Sequence, residues 1–345
     1  MRPRAAAVRR RRAPALLAVP ALLTVGAVLL PLAYIVLRAS GGGADAWRVL
    51  DPERTGDVLV STVLLVVAVV GAAAAVGVPL AWLVTRTDLP GRRFWAVAAA
   101  LPLVVPSYVA ALALLGALGP RGLLQGALER PFGIERLPEI YGFGGAVLAL
   151  TLSTYPYVYL LTATALRGLD PSLEEAARGL GQSPWRTFRR VTLPALRPSI
   201  GAGCLLVALY TLSDFGAVSL MQYPALTRTI YLQYQALFDR DPAAVLALVL
   251  VALTAIVLVL ESRARRGLRY YRAVPGASRP PAAVALGRWR WAALGYCTAV
   301  VGLFLALPVG VLVHWAVQAV PLGDPVDVAW RAAANSVLAS ALAAG

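Results

Sequence analysis

Lysine is absent from this chain of 345 residues, in which all 32 basic residues are arginines. A phosphate-binding loop of the form G-x-x-x-x-G-K-[ST] needs its lysine, so the chain cannot bind ATP in that way. A lysine Schiff base is excluded for the same reason. Cysteine and histidine are scarce as well, and Cys204, Cys297 and His314 are scattered through apolar sequence. A dedicated zinc, haem or iron–sulfur site is therefore not expected.

Charge is also scarce, because only 14% of the residues are charged and 59% are hydrophobic. Such a chain is too apolar for an ordinary soluble domain, and several apolar runs are long enough to cross a bilayer. The composition therefore predicts an all-α polytopic membrane protein. The net charge of +15 would indicate nucleic acid as a partner of a soluble protein. Cytoplasmic loops of membrane proteins collect arginine, however, so no nucleic-acid partner is expected here.

Hydropathy predicts about seven complete membrane spans and the beginning of an eighth. The seven spans fall at about 14–37, 58–84, 95–118, 143–166, 199–221, 243–261 and 291–319. The eighth begins near residue 332, which leaves 14 residues to Gly345. As a helix these residues would rise only ~21 Å, against ~30 Å of hydrocarbon. We therefore expect the last span to be truncated.

The distribution of arginine predicts which loops lie in the cytoplasm. Residues 1–13 carry six arginines, and the apolar run after them is too long for a signal peptide and lacks a convincing cleavage site. With this N-terminus inside, every second loop is rich in arginine, and residues 262–290 contain eight arginines and no acid. The opposite loops mix acids with arginines. This positive-inside pattern places residues 167–198 in the cytoplasm.

Residues 170–198 form a short charged insertion between two apolar spans. A helix is predicted to start there, either with a capping box of Ser172 and Glu175 or at Asp170. Apolar residues then recur at helical spacing, and Gly181 follows them where a left-handed cap favours glycine. The apolar stripe consists of Leu173, Ala176, Ala177 and Leu180.

A second short helix is predicted to start at Ser183. Its apolar side consists of Trp185, Phe188 and Val191, and its basic side of Arg186, Arg189 and Arg190. Pro194 and Pro198 are expected to end this helix before the next span, because proline interrupts helical hydrogen bonding. The insertion is thus predicted to be two short helices joined at Gly181.

Three functions fit such a helical pair. It could lie on acidic lipid through its arginines and Trp185, as a membrane-surface hairpin. A DNA-reading helix-turn-helix fits the spacing, but its place between two membrane spans argues against it. The third is a docking element for a cytoplasmic protein, which would hold a helix in a surface groove.

The pattern resembles the EAA loop of permease subunits in binding-protein-dependent ABC importers. The matching residues are Glu175, Ala176, Ala177, Gly181, Val191, Leu193 and Pro194. The family often has isoleucine where this chain has Val191, which is a mild departure. The flanking sequences 101–115 and 209–220 resemble the iron(III)-type permeases, which are single chains with two fused permease halves. The resemblance covers about 57–261, and from about 290 onward the chain is similar to the start of a second half.

The resemblance implies a division of the chain. The expected parts are a basic cytoplasmic N-terminus at 1–13, a first span and external loop at 14–56, a permease domain at 57–261, an arginine-rich cytoplasmic linker at 262–290 and the start of a second, truncated permease half at 291–345. One EAA loop is present in these residues, whereas the fused permeases have two. A second permease half, fused downstream or on another subunit, is therefore expected.

The resemblance also implies the type I ABC importer transmembrane fold and a multi-pass location in the inner membrane. ATP would be hydrolysed by a separate cytoplasmic ATPase dimer that receives the EAA loop, so this chain would bind no cofactor and would not itself be an enzyme. An extracytoplasmic solute-binding protein would deliver the solute. Iron(III) is the expected solute, with thiamine, phosphonate, sulfate and polyamine as alternatives. An intramembrane enzyme and a membrane scaffold without transport are the competing functions of other classes.

One acid is predicted inside a membrane span. Asp214 lies in the fifth predicted span, and intramembrane acids usually face a cavity or a partner. It could line a translocation path, where a cationic solute would favour it. Alternatively it could be a packing residue that is bonded to Ser213, Thr211 or the backbone.

Overall fold

The computed structural model describes residues 15–120, 122–133, 138–235, 240–265, 283–319 and 326–344. The basic N-terminus predicted at 1–13 and most of the linker predicted at 262–290 lie outside the described residues. Helices joined by turns and short irregular stretches make up the described residues, together with one isolated parallel bridge between Thr87 and Val284.

Sixteen α-helices follow one another along the described chain. They are α1 (Ala15–Gly41), α2 (Gly43–Trp47), α3 (Pro52–Arg86), α4 (Arg92–Ala98), α5 (Ser107–Leu118), α6 (Leu123–Phe132), α7 (Phe143–Gly168), α8 (Pro171–Gly179), α9 (Pro184–Thr187), α10 (Leu193–Ser213), α11 (Gly216–Leu220), α12 (Leu226–Gln235), α13 (Arg240–Arg265), α14 (Arg290–Val301), α15 (Leu307–Ala319) and α16 (Val326–Ala344). Turns of 3₁₀-helix lie at Leu101–Val104 and Gly287–Trp289, and π-helical turns lie at Phe188–Thr192 and Gly302–Ala306.

Seven helical segments of the described chain are long and apolar enough to cross a membrane. They are α1, α3, the segment that begins with α5, α7, the α9–α10 segment, α13 and the α14–α15 segment. This number confirms the seven complete spans that hydropathy predicts. The eighth predicted span corresponds to α16, which begins at Val326 rather than near residue 332.

The third predicted span, at 95–118, is wrong as one continuous helix. The chain there forms α4, then a 3₁₀ turn, and then α5. Pro102 lies in the first turn of the 3₁₀ helix, and Pro106 precedes α5 in an extended conformation. Each proline lacks the amide hydrogen that an uninterrupted helix would use, so the break falls where the two prolines stand.

The chain divides into two compact units, and the first comprises residues up to Thr62 together with Pro224–Ile256. Small side chains form its core, namely Ala39, Ala46, Ala244 and Val245. Arg38 and Asp241 are 3.2 Å apart and join α1 to α13. The Thr62 hydroxyl accepts a hydrogen bond from the amide of Leu226 at 3.0 Å.

The second unit comprises Val63–Tyr223 and Val257–Gly345, and α7 is its most buried helix. Two glycines let neighbouring helices approach the α7 backbone. A Cβ at Gly77 of α3 would lie 2.9 Å from the Tyr159 amide nitrogen, and one at Gly203 of α10 would lie 2.7 Å from Cα of Val158. Small residues at such crossings are typical of helices packed in a membrane. Tyr155 and Tyr159 are buried in this packing.

Candidate functional site: the EAA segment and the Asp214 break

The EAA segment is defined as residues 170–198, and its first helix is α8. The Asp170 carboxylate accepts a hydrogen bond from the Ser172 amide at 2.9 Å, and Pro171 occupies the first turn. An aspartate followed by proline is a strong helix start, because the acid satisfies a free amide and proline needs no partner there. Of the two predicted starts, the structure therefore has the one at Asp170.

The end of α8 confirms the predicted glycine cap. Gly181 has a φ of +80°, in the left-handed region. Its amide donates to the Arg178 carbonyl at 2.9 Å, and the Gln182 amide donates to the Ala177 carbonyl at 3.2 Å. This pair of bonds is the Schellman motif, which needs a residue that tolerates positive φ. Gly181 thus fixes the point at which the chain leaves α8.

The residues of α8 face two ways. Ala177 is buried and Glu174 is half-buried, so these two turn toward the rest of the unit. Glu175 and Ala176 are exposed, and Leu180 just after the helix is 83% exposed. The predicted apolar stripe is therefore split, with Ala177 against the protein and both Ala176 and Leu180 open to the surroundings.

The inward face of the EAA segment carries an ion pair that the sequence did not reveal. Nη2 of Arg86, at the end of α3, lies 3.6 Å from Oε1 of Glu174. The same Glu174 oxygen accepts a hydrogen bond from the Thr192 hydroxyl at 2.9 Å. No local sequence pattern connects Arg86 with Glu174, because the two residues lie in different helices.

The second half of the EAA segment contradicts the prediction that Pro194 and Pro198 end a separate helix. Helix α9, the π-helical turn Phe188–Thr192 and α10 form one continuous helical segment. Pro194 falls in the first turn of α10, directly after the π-helical turn. The i→i+5 hydrogen bonding of that turn gives a wider helix. The helix therefore continues through Pro194, although proline has no amide hydrogen to donate.

Aromatic rings hold the start of this segment against α3. Phe188 lies edge-on to Trp82, with ring centroids 5.8 Å apart. Trp185 stacks on Phe188 at 5.7 Å and is 70% exposed. Val191, Leu193 and Pro194, the remaining residues of the EAA pattern, are half-buried. The pattern thus combines packed residues in its second part with exposed residues in α8.

Asp214 lies in a helix break rather than inside the fifth span, so the predicted span at 199–221 is wrong as one helix. Helix α10 ends at Ser213, and the short α11 begins at Gly216. Asp214 is only 7% exposed. Its Oδ1 accepts a hydrogen bond from the Ala217 amide at 2.9 Å, and its Oδ2 accepts one from the Ser107 hydroxyl. The carboxylate therefore caps α11 and joins it to the first residue of α5.

This geometry favours the packing alternative for Asp214. The Ala217 amide is a backbone partner, as predicted, whereas the side-chain partner is Ser107 rather than Ser213 or Thr211. The lining of a translocation path by Asp214 stays a prediction. In the described ranges, no three His, Cys, Asp or Glu side chains lie close enough together to hold a metal ion.

A family model described as the inner membrane component of binding-protein-dependent transport systems matches residues 68–270. The chain belongs to this family. The match covers more than half of the chain and contains the whole EAA segment and Asp214. With the seven apolar helical segments found among its described residues, the protein is a multi-pass inner-membrane transport component.

Relatives of this chain are permeases for different solutes. An Fe(3+)-transport system permease protein of Haemophilus influenzae is 31% identical over 97% of this chain and 63% of its own length. The chain thus spans less than two thirds of that relative. A molybdenum transport system permease protein of Escherichia coli is 35% identical over 54% of this chain and 82% of its own. A sulfate transport system permease protein of the same species is 30% identical over 66% of this chain and 77% of its own length.

Solved structures show the fold of this transport component. The crystal structure of a bacterial alginate ABC transporter, in complex with a periplasmic protein bound to an alginate pentasaccharide, matches with a TM-score of 0.59. The match covers 75% of this chain and 96% of the matched chain of that transporter, at 15% sequence identity. A second structure of an alginate-importing ABC transporter matches with a TM-score of 0.58 at 17% identity. These matches confirm the type I ABC importer transmembrane fold.

Proposed function

We propose that this chain is the membrane-spanning part of an ATP-driven importer and that a cytoplasmic ATPase dimer docks on its EAA segment. The observation that supports this most strongly is the split surface of α8. Glu175 and Ala176 are exposed at the positions that the EAA pattern specifies, while Glu174 and Ala177 hold the helix from behind. A short helix presented in this way fits the groove of a partner protein.

The chemistry of the exposed face matches docking better than lipid binding alone. Ala176 is small, so a partner backbone can approach closely, and Leu180 offers an apolar anchor that is 83% exposed. Glu175 adds a negative charge that would be repelled by acidic lipid but could pair with a basic residue of an ATPase. ATP chemistry then belongs to that partner, because this chain has no lysine.

The proposed direction of transport is inward, from an extracytoplasmic solute-binding protein. The positive-inside pattern supports a cytoplasmic N-terminus and a cytoplasmic EAA segment. A second permease half, fused downstream or on another subunit, would complete the transporter. Rigid-body movement of helix groups would then alternate access to the two sides of the membrane.

Iron(III) is the proposed solute. The relative that matches 97% of the chain is an Fe(3+) permease, whereas the molybdenum relative matches 54%. The molybdenum relative is more similar over its shorter region, at 35% identity against 31% for the Fe(3+) permease. An oxyanion such as molybdate or sulfate is therefore the second candidate.

Solute uptake tests the proposal directly. The reading frame that contains this chain and its neighbouring transport genes would be expressed in cells that lack their own uptake systems for iron, molybdate and sulfate. We expect ATP-dependent uptake of radiolabelled iron(III) that is lost when this chain is deleted. Uptake of molybdate or sulfate instead would overturn the solute, and no ATP-dependent uptake of any of them would argue against the transport of these ions.

A further inference from the structure

The second span ends in a buried arginine that lies behind the EAA segment. Arg86 is the last residue of α3, and its side chain is only 3% exposed. Trp82 precedes it by four residues, so both side chains project from the same face of the helix. This face of α3 therefore presents one aromatic ring and one positive charge, a helical turn apart.

Each of these two side chains holds a different part of the EAA segment. Nη2 of Arg86 pairs with Oε1 of Glu174 in α8 at 3.6 Å. Trp82 contacts Phe188 in the π-helical turn, with ring centroids 5.8 Å apart. The Thr192 hydroxyl closes the arrangement by donating to Glu174 at 2.9 Å. Both halves of the EAA segment are thus attached to α3 and to each other.

The backbone beside Arg86 holds a third part of the unit. The Val284 amide donates to the Arg86 carbonyl at 2.8 Å, and the Asp88 amide donates to the Val284 carbonyl at 3.2 Å. The Leu286 amide donates to Oδ1 of Asp88 at 2.8 Å. This pairing surrounds the parallel bridge between Thr87 and Val284. It fixes the chain shortly before α14.

The geometry points to Arg86 as a positioning residue that connects the EAA segment with α3 and with the entrance to α14. The inference rests on the proposed function, because it gives a route by which an ATPase docked on α8 would move two spans together. Displacement of α8 would move Glu174, and the ion pair with Arg86 would transmit this movement to α3. The backbone pairing around Thr87 would transmit it further, to the start of α14. Such a route consists of contiguous contacts between rigid elements.

The charge of Arg86 makes this connection sensitive to the loss of one partner. Its guanidinium nitrogens form no hydrogen bond with any described residue, so Glu174 supplies the compensating charge. Removing one member of a buried pair leaves an uncompensated charge, whereas removing both members leaves none. A double variant can therefore loosen the connection without the cost of an unpaired charge.

Limited proteolysis of the full chain in lipid nanodiscs tests the inference, because trypsin reaches both membrane faces there. Arg178 lies exposed in α8 and is cleaved only when α8 opens locally. We expect Arg86→Met to raise the rate of cleavage after Arg178 about tenfold, with Arg86→Lys in between, since losing a buried pair favours local opening. Cleavage after the exposed Arg93 serves as the internal reference, and Arg92→Met is the matched control variant.

The double variant Arg86→Met with Glu174→Met separates the connection from general stability. We expect it to keep the thermal stability of the native chain and still show fast cleavage after Arg178. If Arg86→Met alone fails to fold, cleavage of the double variant still tests the role of Arg86. Native cleavage rates in the stable double variant, or an equal increase with Arg92→Met, would overturn the inference. These rates need neither ATPase nor solute, so a failure of the proposed transport function would show separately, as absent uptake.

Discussion

The EAA segment and the Asp214 break both carry carboxylates between apolar helices, but Glu175 and Asp214 are used in opposite ways. In the EAA segment, Glu175 is left exposed beside Ala176. At the break, both oxygens of Asp214 are engaged inside the unit by Ser107 and Ala217. The difference teaches that a polar interruption of a membrane chain serves a partner when its groups face outward, and serves the fold when its own chain satisfies them.

The largest effect is expected from removing the buried carboxylate. Asp214→Leu leaves the Ala217 amide and the Ser107 hydroxyl without their acceptor, and each buried unsatisfied group costs about 1–3 kcal/mol. We expect a clear loss of thermal stability in detergent, which a fluorescence melting assay would measure.

Asp214→Asn is the matched control, because an amide oxygen can still cap α11. We expect this variant to melt close to the native chain and to retain uptake. If Asn were as stable as Asp but abolished uptake of a cation, the carboxylate charge would be acting in a translocation path, and the contrast with the EAA segment would fail.

A change at the exposed carboxylate of Glu175 should leave thermal stability intact and reduce transport instead. Glu175 is exposed and has no hydrogen bond or ion pair with a described residue, so Glu175→Arg should not change the thermal stability. Docking of the ATPase should weaken, because a repulsive charge in a protein interface reduces affinity, and we expect at least about tenfold slower uptake. The measurements are ATPase co-purification and solute uptake.

The exposed Glu53 at the start of α3 offers a matched control for charge inversion. Glu53→Arg should leave both co-purification and uptake unchanged. Equal losses with Glu53→Arg and Glu175→Arg would show a general effect of charge rather than docking at α8.

The smallest effect is expected at the glycine cap. Gly181→Ala forces a residue with a Cβ into φ of +80°, which costs about 1 kcal/mol. The end of α8 should fray, and hydrogen exchange of the Gln182 amide should quicken. Gly179→Ala is the control, because a Cβ there meets nothing within 4 Å and alanine favours the helix. If both variants behaved alike, the cap would not define the docking helix.

Much of the fold could be predicted from the sequence, because bilayer thickness ties span length to hydropathy. The breaks in the third and fifth predicted spans could not. An apolar run has the same hydropathy whether it forms one helix or two, and the presence of proline does not distinguish the two cases. Pro102 and Pro106 mark a break, whereas Pro156 lies inside the continuous α7.

The candidate site was predictable where its residues are close in sequence. The glycine cap follows from the position of Gly181 after an amphipathic run, and its φ of +80° agrees. The pairing of Arg86 with Glu174 was not predictable, since it depends on how two distant helices pack. The continuity of α9 with α10 was missed because a π-helical turn, which has no clear sequence signal, offsets the effect of Pro194.

Photo-crosslinking at Leu180 in living cells tests the central claim most directly. A photoreactive phenylalanine analogue at this large, apolar position, which is 83% exposed just after α8, would be activated by light in cells that express the chain with its neighbouring transport genes. Val60, which is 67% exposed on the apolar α3, provides the control position. Docking of an ATPase predicts a crosslink to an ATP-binding protein from position 180 and to lipid alone from position 60. Crosslinks to lipid alone from both positions would contradict the account.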